Sequence, residues 1–313
     1  MIPENNRIMN YPRKITEGVY LVGNHFFRSY LVRGEICALV EAGVTWSVPQ
    51  VVKQLEELGM APEELQYLIV SHAHFDHVCG IPGLKRAFPN LQILASEAAA
   101  RVLVKTKVVT GFFSEDVALA KNLGDKGQVM QAVPIPDPPV TINVDMVINE
   151  GDKLDLGRGA ILHFNLLPGH SPCSMAAYLP LEQVLFAADC GGYPISEDTI
   201  FPMYFSGYED YVTGLKKLQN MESSVLAAPH ELLLSGSREI SRFFRQSLAS
   251  TVQLYEVILE NYKIGRSQDE ISQGLFQRFY RGGLANYSTG NIRVCTDLLV
   301  RRTIGAENFC QHE

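Results

Sequence analysis

Ser71-His72-Ala73-His74-Phe75-Asp76-His77 follows the apolar run Tyr67–Val70 without a break. In an extended segment His72, His74 and Asp76 project to one side and His77 to the other. A turn at Asp76-His77 would let this one loop supply ligands to two adjacent metals. Neutral imidazoles beside a carboxylate suit zinc, iron or manganese better than magnesium or calcium. A lone histidine is ordinarily a surface or satisfied core residue. Three histidines and an aspartate between positions 72 and 77, directly after an apolar strand, point instead to a metal site.

The same placement recurs along the chain. His170 follows the strand AILHFNLL, Asp189 ends the strand QVLFAAD, and His230 follows SVLAA. Strand ends in a layered α/β protein aim their loops into a common crevice. His25, His163 and His312 have no such context and read as structural or surface residues. Cys173 and Cys190 flank candidate ligands, but small buried thiols are the commoner case.

The surrounding pattern is mixed α/β. Residues 17–42 read as two or three strands with glycines at their turns, and Ser47 can cap a helix whose apolar positions run from Val48 to Leu58. A short helix to Phe88, the strand LQILAS and a helix from about Glu97 follow. Residues 106–140 read as the least regular part, with Phe112-Phe113 and the Pro-rich run Val133–Val140, a candidate binding loop or lid. Beyond it VDMVI, KLDLG and AILHFNLL are separated by hairpin-type turns. From Ser237 onward the pattern is helical only, including a possible capping box at Ser267-Gln268-Asp269-Glu270.

The formal charge of −7 changes sign along the chain: residues 1–235 hold 17 basic against 26 acidic side chains, and residues 236–313 hold 10 against 8. An acidic body argues against general nucleic-acid binding. The six cysteines include no C-x-x-C pair, which favours reduced thiols over a disulfide or Cys-rich zinc scaffold. With no apolar run of membrane-spanning length and no leader pattern, the expectation is a cytoplasmic protein without membrane or nucleic-acid partners. Gly169-His170-Ser171-Pro172-Cys173 lacks the last glycine of a nucleophile elbow, and Gly157-Arg158-Gly159 lacks the third glycine of a dinucleotide loop.

His72-x-His74-x-Asp76-His77, then His170, Asp189 and His230 in that order, resembles the metallo-β-lactamase-fold hydrolase superfamily over about residues 15–235. The resemblance implies an αββα sandwich and two divalent metals at one sheet edge, zinc first, with iron or manganese as alternatives. His72, His74 and His170 would hold one metal, Asp76, His77 and His230 the other, and Asp189 would bridge. Cys173, Ala188 and Pro229 each stand where such members usually have glycine, and Val40-Glu41-Ala42-Gly43 stands where they often have Asp-x-Gly. The helical C-terminal part is similar in arrangement to that of glyoxalase II and of the quinolone-signal response thioesterase.

The division expected is therefore residues 1–236 as the hydrolase domain and residues 237–313 as a helical extension covering or flanking the site. The expected activity is hydrolysis of a thioester- or ester-like carbonyl in a small-molecule acyl substrate by a metal-bridged hydroxide. Asp76 would orient the nucleophile, and Tyr193 would donate to the oxyanion or hold the substrate. Phe26, Phe27, Phe112, Phe113, Tyr204 and Phe205 are candidate walls of an apolar pocket. A lactonase, or a mono-iron persulfide dioxygenase on the same ligands, is the alternative enzyme. A ligand-binding or partner-docking regulator is the alternative outside catalysis, and the mildly basic tail offers a homodimer face.

Overall fold

A computed structural model of the chain describes residues 10–127, 138–196 and 198–310. Two sheets stack face to face. The first runs β1 (Arg13–Lys14), β2 (Val19–Gly23), β3 (Arg28–Arg33), β4 (Cys37–Val40), β5 (Leu65–Ile69), β6 (Gln92–Ser96) and β7 (Met146–Ile148) in sequence order. It is antiparallel up to β4 and parallel from β4 to β7. The second contains β8 (Lys153–Asp155), β9 (Ile161–Leu166), β10 (Met175–Leu179), β11 (Val184–Phe186), β14 (Val225–Ala227) and β15 (Leu233–Ser235), in the order β15-β14-β11-β10-β9-β8. Between β11 and β14 lies a separate hairpin, β12 (Tyr193–Ser196) with β13 (Thr199–Phe201).

The strands are apolar on both faces because both faces are covered. On β3, Tyr30 and Val32 join Phe164, Ala177 and Phe186 of the second sheet in the core between the sheets. Leu31 points the other way, into an outer core with Val51 and Leu55 of α1 (Val48–Glu57) and Leu84 of α3 (Ile81–Ala87). A run buried on two sides loses the alternation of a half-exposed strand, as β3 and β4 do. The same outer core continues through α6 (Tyr208–Gln219) into α7 (Ser237–Lys263), α8 (Gln268–Phe279) and α9 (Thr289–Cys310). The chain thus adopts the αββα sandwich with C-terminal helices that the sequence suggested. Ser267 and Glu270 form the reciprocal capping box at the start of α8. Among the described residues no helix is long and apolar enough to cross a membrane.

Contrary to the irregular stretch expected from residue 106, the chain forms a continuous helix there, α5 (Thr106–Asp125), preceded by the short α4 (Glu97–Leu103). Val109, Phe113, Asp116, Ala120 and Leu123 recur every three or four residues and bury one side of it. Phe112-Phe113 is therefore a step on an amphipathic helix rather than part of a loop. Of the Pro-rich run, residues 133–137 lie outside the described residues, as does His312.

The polar member of that stripe, Asp116, is 1% exposed. Its Oδ1 accepts the Thr45 N–H at 3.0 Å and its Oδ2 accepts the Thr45 hydroxyl, which ties α5 to the loop after β4. Burial raises this carboxyl to about 6 against the pull of the Thr45 hydrogen bonds. Since the folded value exceeds the ordinary 3.8, the folded state binds more protons across that interval, so the group's contribution to stability falls as pH rises from about 4 to about 6. The difference corresponds to something on the order of 3 kcal/mol. Asp116→Asn keeps an acceptor without the charge. Denaturant titrations should show its stability rising relative to wild type across this window, and a difference constant with pH would overturn the assignment.

Candidate metal centre

The seven residues singled out in the sequence converge at the C-terminal ends of β5, β9, β11 and β14. After β5 the chain bends at Ser71-His72 and is extended at His74, and Phe75–Val78 then closes as a single helical turn, α2. The turn expected at Asp76-His77 is thus helical and starts at Phe75, and it brings Asp76 and His77 to bear on a second cluster. Gly169 enters the next loop at φ +128°, and a Cβ there would lie 2.4 Å from the backbone of Tyr211, so only glycine lets the chain turn here to present His170. Three non-glycine residues with positive φ flank the site: Glu41 (72°), Ala188 (50°) and Glu231 (37°). Strained backbone of this kind persists where the surroundings over-determine it, as functional sites do.

In the first cluster His72 Nε2, His74 Nδ1 and His170 Nε2 stand 3.0–3.1 Å from one another. A ring nitrogen carries either a proton or a lone pair, so three nitrogens cannot all hydrogen-bond mutually; at least one pair meets like against like. The outward nitrogens identify which atoms carry the lone pairs. His170 Nδ1 donates to the Met203 carbonyl at 3.1 Å, which leaves its Nε2 unprotonated when the ring is neutral. His230 Nδ1 donates likewise to the Phe26 carbonyl, and His77 Nδ1 to Glu41 Oε2 at 2.9 Å.

In the second cluster His77 Nε2 and His230 Nε2 face each other at 3.3 Å, and Asp76 Oδ2 is 3.4 Å from His230 Nε2. Asp189 lies between the clusters: its Oδ2 is 3.5–3.9 Å from the Nε2 atoms of His72, His77 and His170, and its Oδ1 is 3.6 Å from that of His230. Donors bonded at about 2.0–2.1 Å in a tetrahedral zinc site are separated by roughly 3.3 Å. The triads His72/His74/His170 and Asp76/His77/His230, with Asp189 shared, therefore have the spacing and donor chemistry to hold two metal ions.

The electrostatics agree with that reading. Burial holds His72 far below the ordinary histidine range, His74 down to about 3, and His170 below its usual value, which keeps all three rings neutral. Burial alone would also lower His77, but the carboxylates of Glu41, Asp76 and Asp189 overcome it and raise the ring. Asp189 is held below the carboxylate range because the histidines, led by His230 and His77, outweigh its burial. A cation among these carboxylates would take the place of the proton that His77 otherwise retains.

Tyr193 is buried beside His230, and its hydroxyl donates to Glu231 Oε2 at 2.8 Å, while Glu231 Oε1 is 3.0 Å from His25 Nε2. His25 thus has a partner that its sequence context did not disclose. A second phenol, Tyr287, comes from the segment between α8 and α9 and donates to Asp76 Oδ2 at 2.8 Å. No local pattern pointed to Tyr287, whose partner is 211 residues away. Cys173 and Cys190 are buried; the Cys173 sulfur accepts the Ala73 N–H at 3.2 Å.

A cavity of about 530 Å³ opens over the centre. His74, Asp76, His170, Asp189, Tyr193, His230 and Tyr287 form its polar floor, and Phe75, Phe112, Phe201, Met203, Phe205 and Leu284 are among its apolar walls. Of the aromatic residues expected there, Phe112 and Phe205 line it. Phe27 packs edge-on against His230 and Tyr287 instead, and Phe113 and Tyr204 belong to the core.

Residues 28–230 match the model of the metallo-beta-lactamase superfamily, and the chain belongs to that superfamily. It is 27% identical over 176 residues to the putative diflavin flavoprotein A 1 of Thermosynechococcus vestitus, covering 56% of this chain and 25% of that protein. It is 22% identical to the flavo-diiron protein FprA2 of Clostridium acetobutylicum, covering 72% of this chain and 55% of the other. The chain thus spans between about a quarter and a half of the length of these relatives. Among solved structures, a motif mutant of the metallo-beta-lactamase from Cronobacter sakazakii superposes with TM-score 0.59 at 25% identity, over 82% of this chain and all of that one. A metallo-beta-lactamase family protein from Thermus thermophilus shares the fold over 94% of this chain and 95% of its own, with TM-score 0.65 at 19% identity.

Glu41 orients the ring of His77, and losing such an outer partner commonly costs about 10–100-fold in metal affinity. Chelator-competition titration of Glu41→Gln should show weakening of that order at one of two sites, the other unchanged. Equal affinities in variant and wild type would remove Glu41 from the centre.

Proposed function

We propose that this chain is a metal-dependent hydrolase of a thioester- or ester-like carbonyl in a small-molecule acyl substrate. The observation that carries this reading is the division of the cavity: lone-pair nitrogens and carboxylates converge on its floor, and apolar side chains form its walls. His72, His74 and His170 would hold one metal and Asp76, His77 and His230 the second, with Asp189 shared. When bound, two divalent ions supply Lewis acidity and lower the pKa of water to about 7.

The remaining work falls to the chain's own side chains. Asp76 is fixed through Oδ2 by Tyr287, which leaves Oδ1 to orient a water molecule and accept its proton. Burial and the neighbouring Asp76 both raise Tyr287 well above the ordinary tyrosine range, so it stays neutral and keeps its proton on Asp76 Oδ2. Tyr193, expected from the sequence to donate to the oxyanion or to hold the substrate, donates its proton to Glu231 and stands beside His230 at the cavity floor, where it would hold the substrate. The apolar walls exclude water and strengthen each of these interactions.

Turnover by metal-analysed protein across acyl-thioesters, lactones and phosphodiesters tests the reading. Asp76→Ala and His72→Ala should abolish turnover with the fold retained, and full activity in Asp76→Ala would remove the two-metal mechanism. Tyr287→Phe, which removes the bond that fixes Asp76, should lower kcat by roughly 10–100-fold, the usual cost of losing such an outer partner, with little change in KM.

The names of two relatives, the flavo-diiron protein and an anaerobic nitric oxide reductase flavorubredoxin from Vibrio vulnificus, favour a second reading, an oxidoreductase with iron at the same donors. Iron content together with oxygen or nitric oxide consumption under a reductant separates the two. Consumption without ester or thioester turnover would establish the redox reading.

A further inference from the structure

The cavity is lined by more than the metal centre, including two helices, α5 and α9, that carry none of the candidate ligands. Besides the polar Lys107, Glu115 and Asn291, α5 contributes Val108, Gly111 and Phe112 to its lining and α9 contributes Ile292, Val294 and Leu298, which present carbon to the space. Val294 is 57% exposed although it is β-branched and apolar, so this apolar surface continues to the mouth.

Gly111 is the unusual member. It stands inside the 20-residue helix α5, where glycine is the least favourable residue apart from proline. Packing does not demand it, because a Cβ built at Gly111 meets no atom within 4 Å. Gly34 and Gly80 differ, since a Cβ at either would lie 2.1 Å from a backbone oxygen. Nor does a left-handed backbone demand it, for Gly111 is not among the glycines with positive φ. Gly124, Gly274 and Gly305 are helical and equally open, but they do not line the cavity. A residue that weakens its helix and leaves space at the cavity wall is accounted for by what occupies that space.

We infer that the slot between α5 and α9 receives an extended apolar acyl arm of the substrate, and that Gly111 is a specificity-determining residue that sets the width of the slot. The carbonyl end meets the polar floor, and the arm lies along Phe112 and Ile292 toward Val294. This rests on the acyl-hydrolase reading for turnover, but the slot itself is testable by binding alone.

The experiment uses the full chain with two probe series. Acyl-thioesters from butanoyl to dodecanoyl measure kcat/KM, and the matching free carboxylates, in competition with a fluorescent fatty acid, measure affinity. Each methylene buried in the slot should raise both about fourfold, the factor corresponding to ~0.8 kcal/mol, until the slot is full. Gly111→Leu should lower the dodecanoyl-to-butanoyl ratio by about tenfold or more, two to three methylenes' worth of contact. Gly111→Ala should raise the melting temperature, which verifies that the helix tolerates a side chain there. Val294→Lys, at an exposed position, should reduce the affinity for long carboxylates by a similar factor.

A flat chain-length profile in both series overturns the slot. So does a graded profile unchanged in both Gly111→Leu and Val294→Lys. Graded carboxylate binding without turnover of any thioester supports the slot and removes the hydrolase reading instead.

Discussion

Five imidazoles and two carboxylates buried within a few ångströms of each other are the constraint around which the rest of this chain is arranged. Their inward-facing atoms are mostly acceptors, and acceptors in a low-dielectric interior repel unless a cation or a proton stands among them. The outward-facing atoms are satisfied one by one: His170 by the Met203 carbonyl, His230 by the Phe26 carbonyl, His77 by Glu41. Fixing the outer nitrogen fixes the inner lone pair. The arrangement is stable as a set and costly to leave half-filled, which is the physical content of the fit between these residues and a pair of metals.

Two sheets are an efficient way to deliver such a set. The strands β5, β9, β11 and β14 end at the same edge of the sandwich, where the segment after β5 holds four ligands and the loops after the other three hold one each. Where the sequence departs from the family's usual glycines, the loops are held by other means. Cys173 accepts the Ala73 N–H and so joins the His170 loop to the His72–His74 segment. Ala188 takes a positive φ without being glycine. The Pro229 carbonyl accepts the Arg28 N–H, and the Tyr30 hydroxyl donates to the Ala228 carbonyl, so β3 clamps the loop that carries His230.

The strand-end ligands were legible because their spacing is local: His72, His74, Asp76 and His77 share one loop, and the other three each close an apolar strand. The sandwich was legible from the same strands. Helix α5 was not, because Gly111 and the prolines that follow the helix weigh against a helix in sequence, whereas burial of Val109, Phe113 and Ala120 decides for one. Tertiary packing overrides propensity there. A turn at Asp76-His77 was legible, but its helical form was not, since four residues are too few to show a period. Glu41, Glu231 and Tyr287 escaped because each acts through a partner distant in sequence, and no pattern within their own segments records that partner.

The C-terminal helices read in the sequence as an extension covering or flanking the site, marked by a change of charge. Their packing brings Tyr287 and one face of α9 to the cavity. The segment between α8 and α9 places Tyr287 on Asp76, and four residues earlier Gly283 lies so close to Tyr193 that a Cβ there would stand 1.9 Å from its hydroxyl and 2.3 Å from Glu231 Oε2. A single short stretch thus touches the proposed nucleophile-orienting carboxylate and closes over the phenol–carboxylate pair beside His230. The α9 that follows supplies one wall of the cavity. Shape and chemistry are coupled through this segment: a change that shifts α9 to widen the slot also moves Tyr287 relative to Asp76. Helix α5 is tied to the same segment through Asn122, which donates to the Asn286 carbonyl, so the slot is most freely altered by a side chain at Gly111, where a Cβ meets no atom and neither helix need shift.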